Sequence, residues 1–342
     1  MMRSVLVTSP YHYEIVESEI PTSLAENEVL IQLKAVGVCG SDIHIFHGKN
    51  AMAHYPVVLG HENAGVVVQC GSNVTNCKPG DRVVIEQTCY CGECYPCSIG
   101  HSNVCENLRV RGCTIDGGFR EYMTCQKESI YHLPDEVSFV EGAMVEPFTI
   151  AAQSVETAQV RADDTVLILG VGTIGSTVLQ TCLQIGARVL VADVDEGNLE
   201  RARYYGAASC LNIKDGQLAE QVWACNGGQG VTVAIDAACF TGSLTMLFSP
   251  GVVRNAGRVL CLGFSGEPER LSQAMLTGRN LTLYSSRLQS GKYPQVIREF
   301  AQKHFHLERL VTDVIPFQEI SRVFEQMLHP SPDVKKMVIT FE

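Results

Sequence analysis

The stretch TVLILGVGTIGSTVLQTCLQIGARVLVAD, Thr165 to Asp193, leaves the chain few ways to fold. A strand-length apolar run enters Gly170-x-Gly172-x-x-Gly175, a helix-length segment follows, and a second apolar run ends in Asp193. By length alone the stretch would pass for a membrane span. The three glycines and the polar Gln180, Gln184 and Arg188 instead divide it into strand, turn, helix and strand, so no membrane partner is expected. In such a turn the first glycine permits the sharp bend, the second admits a pyrophosphate close to the backbone, and the third lets the helix pack on the sheet. Thr173 and Ile174, between the second and third glycines, belong to the same cofactor-binding turn. Asp193 lies 18 residues after Gly175, where a carboxylate accepts hydrogen bonds from a ribose 2′-hydroxyl. It would repel a 2′-phosphate, so NAD is expected rather than NADP, and Asp195 is expected to cap the next helix.

The surrounding pattern agrees with this. From about residue 149, apolar strands (TVLILG, RVLVAD, VTVAIDA, GRVLCLGF, LTLYSS) are separated by helix-length segments, which indicates a parallel sheet with crossover helices. Up to about residue 145 the chain reads as short strands between turn signals (EVLIQLKAVGV, AGVVVQCG, GDRVVIE, GGFREYMTC), a β-rich domain. The C-terminal stretch reads as two helices and a closing strand. No linker rich in Pro, Gly or Ser divides the two parts, and the cleft between them is the default place for a site.

A net charge of −11 over 342 residues disfavours nucleic acid and anionic membranes as partners and leaves a small molecule as the expected ligand. The N-terminal stretch alternates apolar and polar residues as a strand does, unlike a signal peptide, so a cytoplasmic protein is expected. Ten of the fifteen cysteines are scattered singly, as buried small apolar residues are in a reducing compartment.

The other five lie in CYCGECYPCSIGHSNVC, residues 89 to 105. Cys91, Cys94, Cys97 and Cys105 have the spacing C-x2-C-x2-C-x7-C, which lets four thiolates converge on one ion in a tight loop. The ligand rules favour zinc over an iron–sulfur cluster, because the proline and the second cluster motif of ferredoxins are missing. Four sulfurs close the coordination shell, so this site is structural, and Cys89 falls outside it. Upstream, GVCGSDIH and LGHENAG place Cys39, His61 and Glu62 at strand ends. This mixed ligand set leaves a coordination position open for water or substrate and points to a catalytic metal.

Together CGSDIH, GHE, GDRV, the four-cysteine lobe, DGGFREY, VEPF and the glycine fingerprint, in this order, resemble the zinc-dependent medium-chain dehydrogenases of the sorbitol and threonine dehydrogenase-like group. The likeness covers essentially the whole chain. CYPCSIG, VEPFTIAA, AIDAAC, GFSGEP and SSRL are most similar to bacterial starvation-sensing oxidoreductases and hexonate (L-gulonate or L-galactonate) 5-dehydrogenases. The resemblance implies an α/β protein: a GroES-like β-rich catalytic domain of residues 1–148 and 286–342, with a Rossmann domain of residues 149–285 inserted. It implies NAD and two zinc ions per chain, one structural and one catalytic at Cys39 and His61, with Glu62 and Glu146 as candidate carboxylates. Which carboxylate binds the metal stays open.

The family's relay positions match Ser41 and His44, which implies that Ser41 takes the proton of a secondary hydroxyl and His44 passes it to solvent while the nicotinamide takes the hydride. Arg287 is the candidate substrate residue, since a guanidinium grips a carboxylate through two hydrogen bonds and suits a sugar acid. Asn198 stands where relatives often have a basic residue on the cofactor's adenosine side. A neutral polyol or L-threonine is the alternative substrate, and an NAD-binding starvation or redox sensor without turnover is the alternative of another class. Family analogy implies a homodimer or homotetramer.

Overall fold

Val166 and Ile168 pack on one face of their strand and Leu167 and Leu169 on the other, and all four are buried. A strand that is apolar on both faces needs cover on both, which is the condition of a central parallel strand. In the computed structural model, which describes residues 1–238, 240–263 and 267–342, this strand (Thr165–Leu169) pairs in parallel with Arg188–Asp193 on one side and Val231–Asp236 on the other. Cys239 of AIDAAC and residues 264–266 of GFSGEP lie outside the described residues. The six-stranded parallel sheet runs Ser209–Asn212, Arg188–Asp193, Thr165–Leu169, Val231–Asp236, Val253–Cys261, Thr282–Ser285. Numbered along the chain that is the order 3-2-1-4-5-6, which reverses beside Thr165–Leu169 and opens a crevice at the strands' carboxyl ends. The helices Thr173–Ile185 and Glu196–Tyr205 each end at a left-handed glycine, Gly186 and Gly206. Asp195 caps the second of them, accepting the Asn198 N–H at 2.9 Å.

The chain divides into two compact units. One comprises Met1–Glu146, Ser290–Lys303 and Leu307–Glu342; the other comprises Pro147–Gln289 and His304–His306 and contains the six-stranded sheet. In the first unit the long strand Glu28–Val38 pairs antiparallel with Glu62–Cys70, Tyr122–Gln126 and Lys336–Thr340. The chain's last strand therefore lies directly beside an early one. Val5, Ile31, Leu33, Phe46, Phe119, Phe324 and Ile339 contribute to one core under this sheet. Among the described residues no helix is long and apolar enough to cross a membrane.

Candidate active site and metal groups

Strand register assembles the first candidate site. Gly37 pairs with Glu62 and Val38 with Met337, so the ends of three strands carry Cys39, His61–Glu62 and Lys336 to one place. Gly37 is required there: a Cβ on it would fall 1.8 Å from Glu62 Oε2. Cys39 sits at the N-cap of the helix Gly40–Phe46. Ligand atoms of Cys39, His61 and Glu62 lie within 4.8 Å of one another.

Two buried charges hold this group. Asp42 is fully buried; one carboxylate oxygen accepts the Cys39 N–H at 2.8 Å, and the other accepts the Gly60 N–H at 3.1 Å and lies 3.6 Å from His61 Nδ1. Burial works against a charged His61, but Asp42, by charge and hydrogen bond, and Cys39 outweigh it and hold the imidazole's pKa well above its ordinary value. Lys336 donates to Glu62 Oε1 at 2.5 Å and to the Val38 carbonyl at 2.9 Å. Burial disfavours its ammonium too, and the charges of Glu62 and Cys39 more than offset this, so its pKa is raised. Glu62 Oε2 lies 2.5 Å from the same nitrogen but lacks hydrogen-bond geometry and has no other hydrogen-bond partner. A thiol, an imidazole and a buried carboxylate, converging this closely, fit a zinc ion.

Glu146 is buried near this group and accepts a 2.8 Å hydrogen bond from Gln87 Nε2. Burial pushes its pKa up to about 7; His61 and Lys336 oppose the shift, while Glu62 and Asp42 add to it. Ser41, half-buried, and His44, exposed, are three residues apart on the helix Gly40–Phe46 and so share one side of it. Arg287 follows the strand Thr282–Ser285 in the second unit and is exposed.

Cys91, Cys94, Cys97 and Cys105 form the second group, again within 4.8 Å. The Cys94 N–H donates to Cys91 Sγ at 3.4 Å, and the N–H groups of Cys91 and Asn107 donate to Cys105 Sγ at 3.3 Å. Backbone donors from Glu93 and Cys94 lower the Cys91 thiol to about 6, while burial and neighbouring thiols push Cys97 up to about 12. Four sulfurs this close cannot all ionise without a cation among them. The donor set fits a closed tetrahedral zinc site, and Cys89 has no place in it.

In the second unit the three fingerprint glycines meet three different demands. Gly170 has φ +83°, a Cβ on Gly172 would meet nothing within 4 Å, and a Cβ on Gly175 would fall 2.0 Å from the Gly170 carbonyl oxygen. Turn, open approach and tight helix packing are thus all present, with Thr173 and Ile174 opening the helix. Asp193 accepts the Val171 N–H at 2.7 Å, the Asp195 N–H at 2.9 Å and Asn198 Nδ2 at 3.1 Å. Buried Arg201 ties the turn together through the Val171 carbonyl and the Asn198 side chain.

Residues 25–135 match the alcohol dehydrogenase GroES-like domain, and residues 173–302 match the zinc-binding dehydrogenase domain. The starvation-sensing protein RspB of Escherichia coli K12 is 38% identical over 99% of both chains. The chain belongs to the zinc-dependent medium-chain alcohol dehydrogenases. L-galactonate-5-dehydrogenase of Escherichia coli K12 is 32% identical over 95% of both chains. The rspB protein of Escherichia coli CFT073, solved with NADH, superposes with a TM-score of 0.93 at 37% identity over 99% of both chains. This dehydrogenase accordingly has a GroES-like domain and a Rossmann-type parallel-sheet domain.

Asp42, Lys336, Gln87 and Arg201 were not anticipated from the dehydrogenase's sequence. Asp42 lies inside CGSDIH, three residues after the cysteine, the spacing at which a carboxylate can reach back to an N-cap N–H. Lys336 also left a trace, as a lysine at the head of the apolar run Met337–Ile339 of the closing strand.

Proposed function

We propose that this dehydrogenase oxidises a secondary hydroxyl of a sugar acid, a hexonate of the L-gulonate or L-galactonate type, using NAD and two zinc ions per chain. The observation that carries the proposal is the pairing of one closed set of four cysteines with one open set, Cys39, His61 and Glu62, in the same unit. The closed set holds a lobe together and the open set does the chemistry. When bound, zinc supplies a Lewis acid that makes a hydroxyl proton easier to remove, and NAD accepts the hydride.

The chain's own residues have distinct tasks. Cys39, His61 and Glu62 hold the metal, and Glu146 holds the fourth ligand position or its water. Asp42 orients His61, as the second partner of a metal-binding histidine does. Ser41 takes the hydroxyl proton, and His44, one turn further along the same helix and open to solvent, carries it away. Asp193 receives the ribose hydroxyls of NAD and repels a 2′-phosphate. The likeness to an L-galactonate dehydrogenase supports a carboxylate-bearing substrate, and Arg287 is its partner.

The test is NADH formation on a matched panel of hexonates and neutral hexitols, before and after zinc chelation. Chelator-sensitive turnover of hexonates is expected, falling at least tenfold in kcat/KM in Arg287→Ala, ~1.4 kcal/mol. Turnover of hexitols alone would contradict the sugar-acid assignment. Bound NADH with no turnover of any substrate would favour a sensor.

A further inference from the structure

Gln87 and Tyr293 have no part in the chemistry above, yet both are essentially solvent-free, at 0% and 1% exposure, and they form a chain that ends on Glu146. Gln87 Nε2 donates to Glu146 Oε1 at 2.8 Å, and Gln87 Oε1 accepts the Tyr293 hydroxyl at 2.8 Å. An amide turned end for end occupies the same volume, so its neighbours decide its direction. Tyr293 has one proton to give, and Gln87 Oε1 at 2.8 Å is a nearer acceptor for it than the Ile85 carbonyl at 3.4 Å. Donated to the carbonyl end, it leaves the NH2 end facing the carboxylate. Reversed, the amide would set carbonyl oxygen against carboxylate oxygen in a buried place, two acceptors with no proton between them whenever Glu146 is ionised.

Tyr293 is itself held. Its ring stacks on Tyr131 with centroids 4.9 Å apart and planes 8° from parallel. The Tyr131 hydroxyl donates to Glu86 Oε2 at 2.9 Å, and Glu86 Oε1 accepts from Thr88 at 2.6 Å. Tyr293 opens the helix Tyr293–Ala301, which has a proline in its first turn, and Tyr131 lies on the strand paired with Arg82–Ile85. All of these residues belong to the first unit.

We propose that Gln87 and Tyr293 are positioning residues of the hydride-transfer site: the tyrosine fixes the direction of the amide, and the amide fixes the place and orientation of the Glu146 carboxylate beside Cys39, His61 and Glu62. The proposal rests on the assignment of these four residues to the catalytic zinc. Partners of this kind are worth about 10- to 100-fold in metal affinity or activity.

The test uses cobalt(II)-loaded protein, whose visible bands report ligand geometry, together with steady-state kinetics. The catalytic-site bands are those lost in Cys39→Ser. In Tyr293→Phe, which keeps the stacked ring, and in Gln87→Leu, these bands should shift, and kcat should fall about tenfold or more with KM for NAD unchanged. Should Tyr293→Phe fail to fold, Gln87→Leu alone decides. Cys39-dependent bands that ignore the substitutions, or a loss of kcat without any shift in the bands, would overturn this inference alone. Wild-type protein with no Cys39-dependent band would overturn the zinc assignment and this inference with it.

Discussion

One carboxylate, that of Asp42, connects three parts of the metal group: it receives the N–H of Cys39 and of Gly60 and faces His61. An amide in its place offers one acceptor atom instead of two and no charge. Asp42→Asn should therefore weaken zinc retention at the Cys39 site by about 10- to 100-fold, as read by competition with a chromophoric chelator. Retention equal to wild type would show that Asp42 does not hold His61. At this scale the sequence was legible where a residue's task is local. The cysteine spacing, the glycine turn and the cap at Asp195 each follow from neighbours a few positions away. Lys336 and Glu62 are 274 positions apart, and Tyr293 and Gln87 are 206 apart. No periodicity links such pairs; only strand register and helix placement bring them together.

Among the elements, the start of the Thr165–Leu169 strand is pinned by Asp164. Burial pushes its carboxyl up, but the Thr232 hydroxyl, the Arg161 N–H and the Arg258 guanidinium outweigh this and hold its pKa below the ordinary value. Arg258 Nη2 lies 2.5 Å from Asp164 Oδ1, tying the strand Val253–Cys261 to this corner. The folded-state pKa is depressed, so the stabilisation is fully present above the unfolded value near 4 and is lost as pH falls through the folded value. Asp164→Asn should lower stability by about 2 kcal/mol at pH 7 and by much less near pH 2, measured by urea unfolding at both. An equal loss at both values would mean that the charge of Asp164 contributes nothing. The four-cysteine lobe makes a separate claim at this scale. Cys94→Ala should remove one zinc and lower the thermal midpoint, because it opens a closed ligand set. A Cys94→Ala protein as stable and active as wild type would contradict a structural metal there. The alternation of strand and helix was legible because both faces of the parallel sheet need apolar cover. The kinship of the closing strand Lys336–Thr340 with Glu28–Val38 was not, since an apolar strand of that length fits any sheet edge.

For the whole molecule, the division into two units separates the tasks. The residues proposed for metal and proton transfer lie in the unit containing Met1–Glu146, and the glycine turn with Asp193 lies in the unit containing Pro147–Gln289. Loss of a metal ligand should thus leave cofactor binding in place. The most direct measurement is zinc content, turnover and NADH affinity in Cys39→Ala beside wild type. The account predicts two zinc ions per wild-type chain, and in Cys39→Ala one zinc, no measurable turnover and NADH affinity within about threefold of wild type, ~0.6 kcal/mol. Two zinc ions retained in Cys39→Ala, or turnover near the wild-type rate, would contradict it.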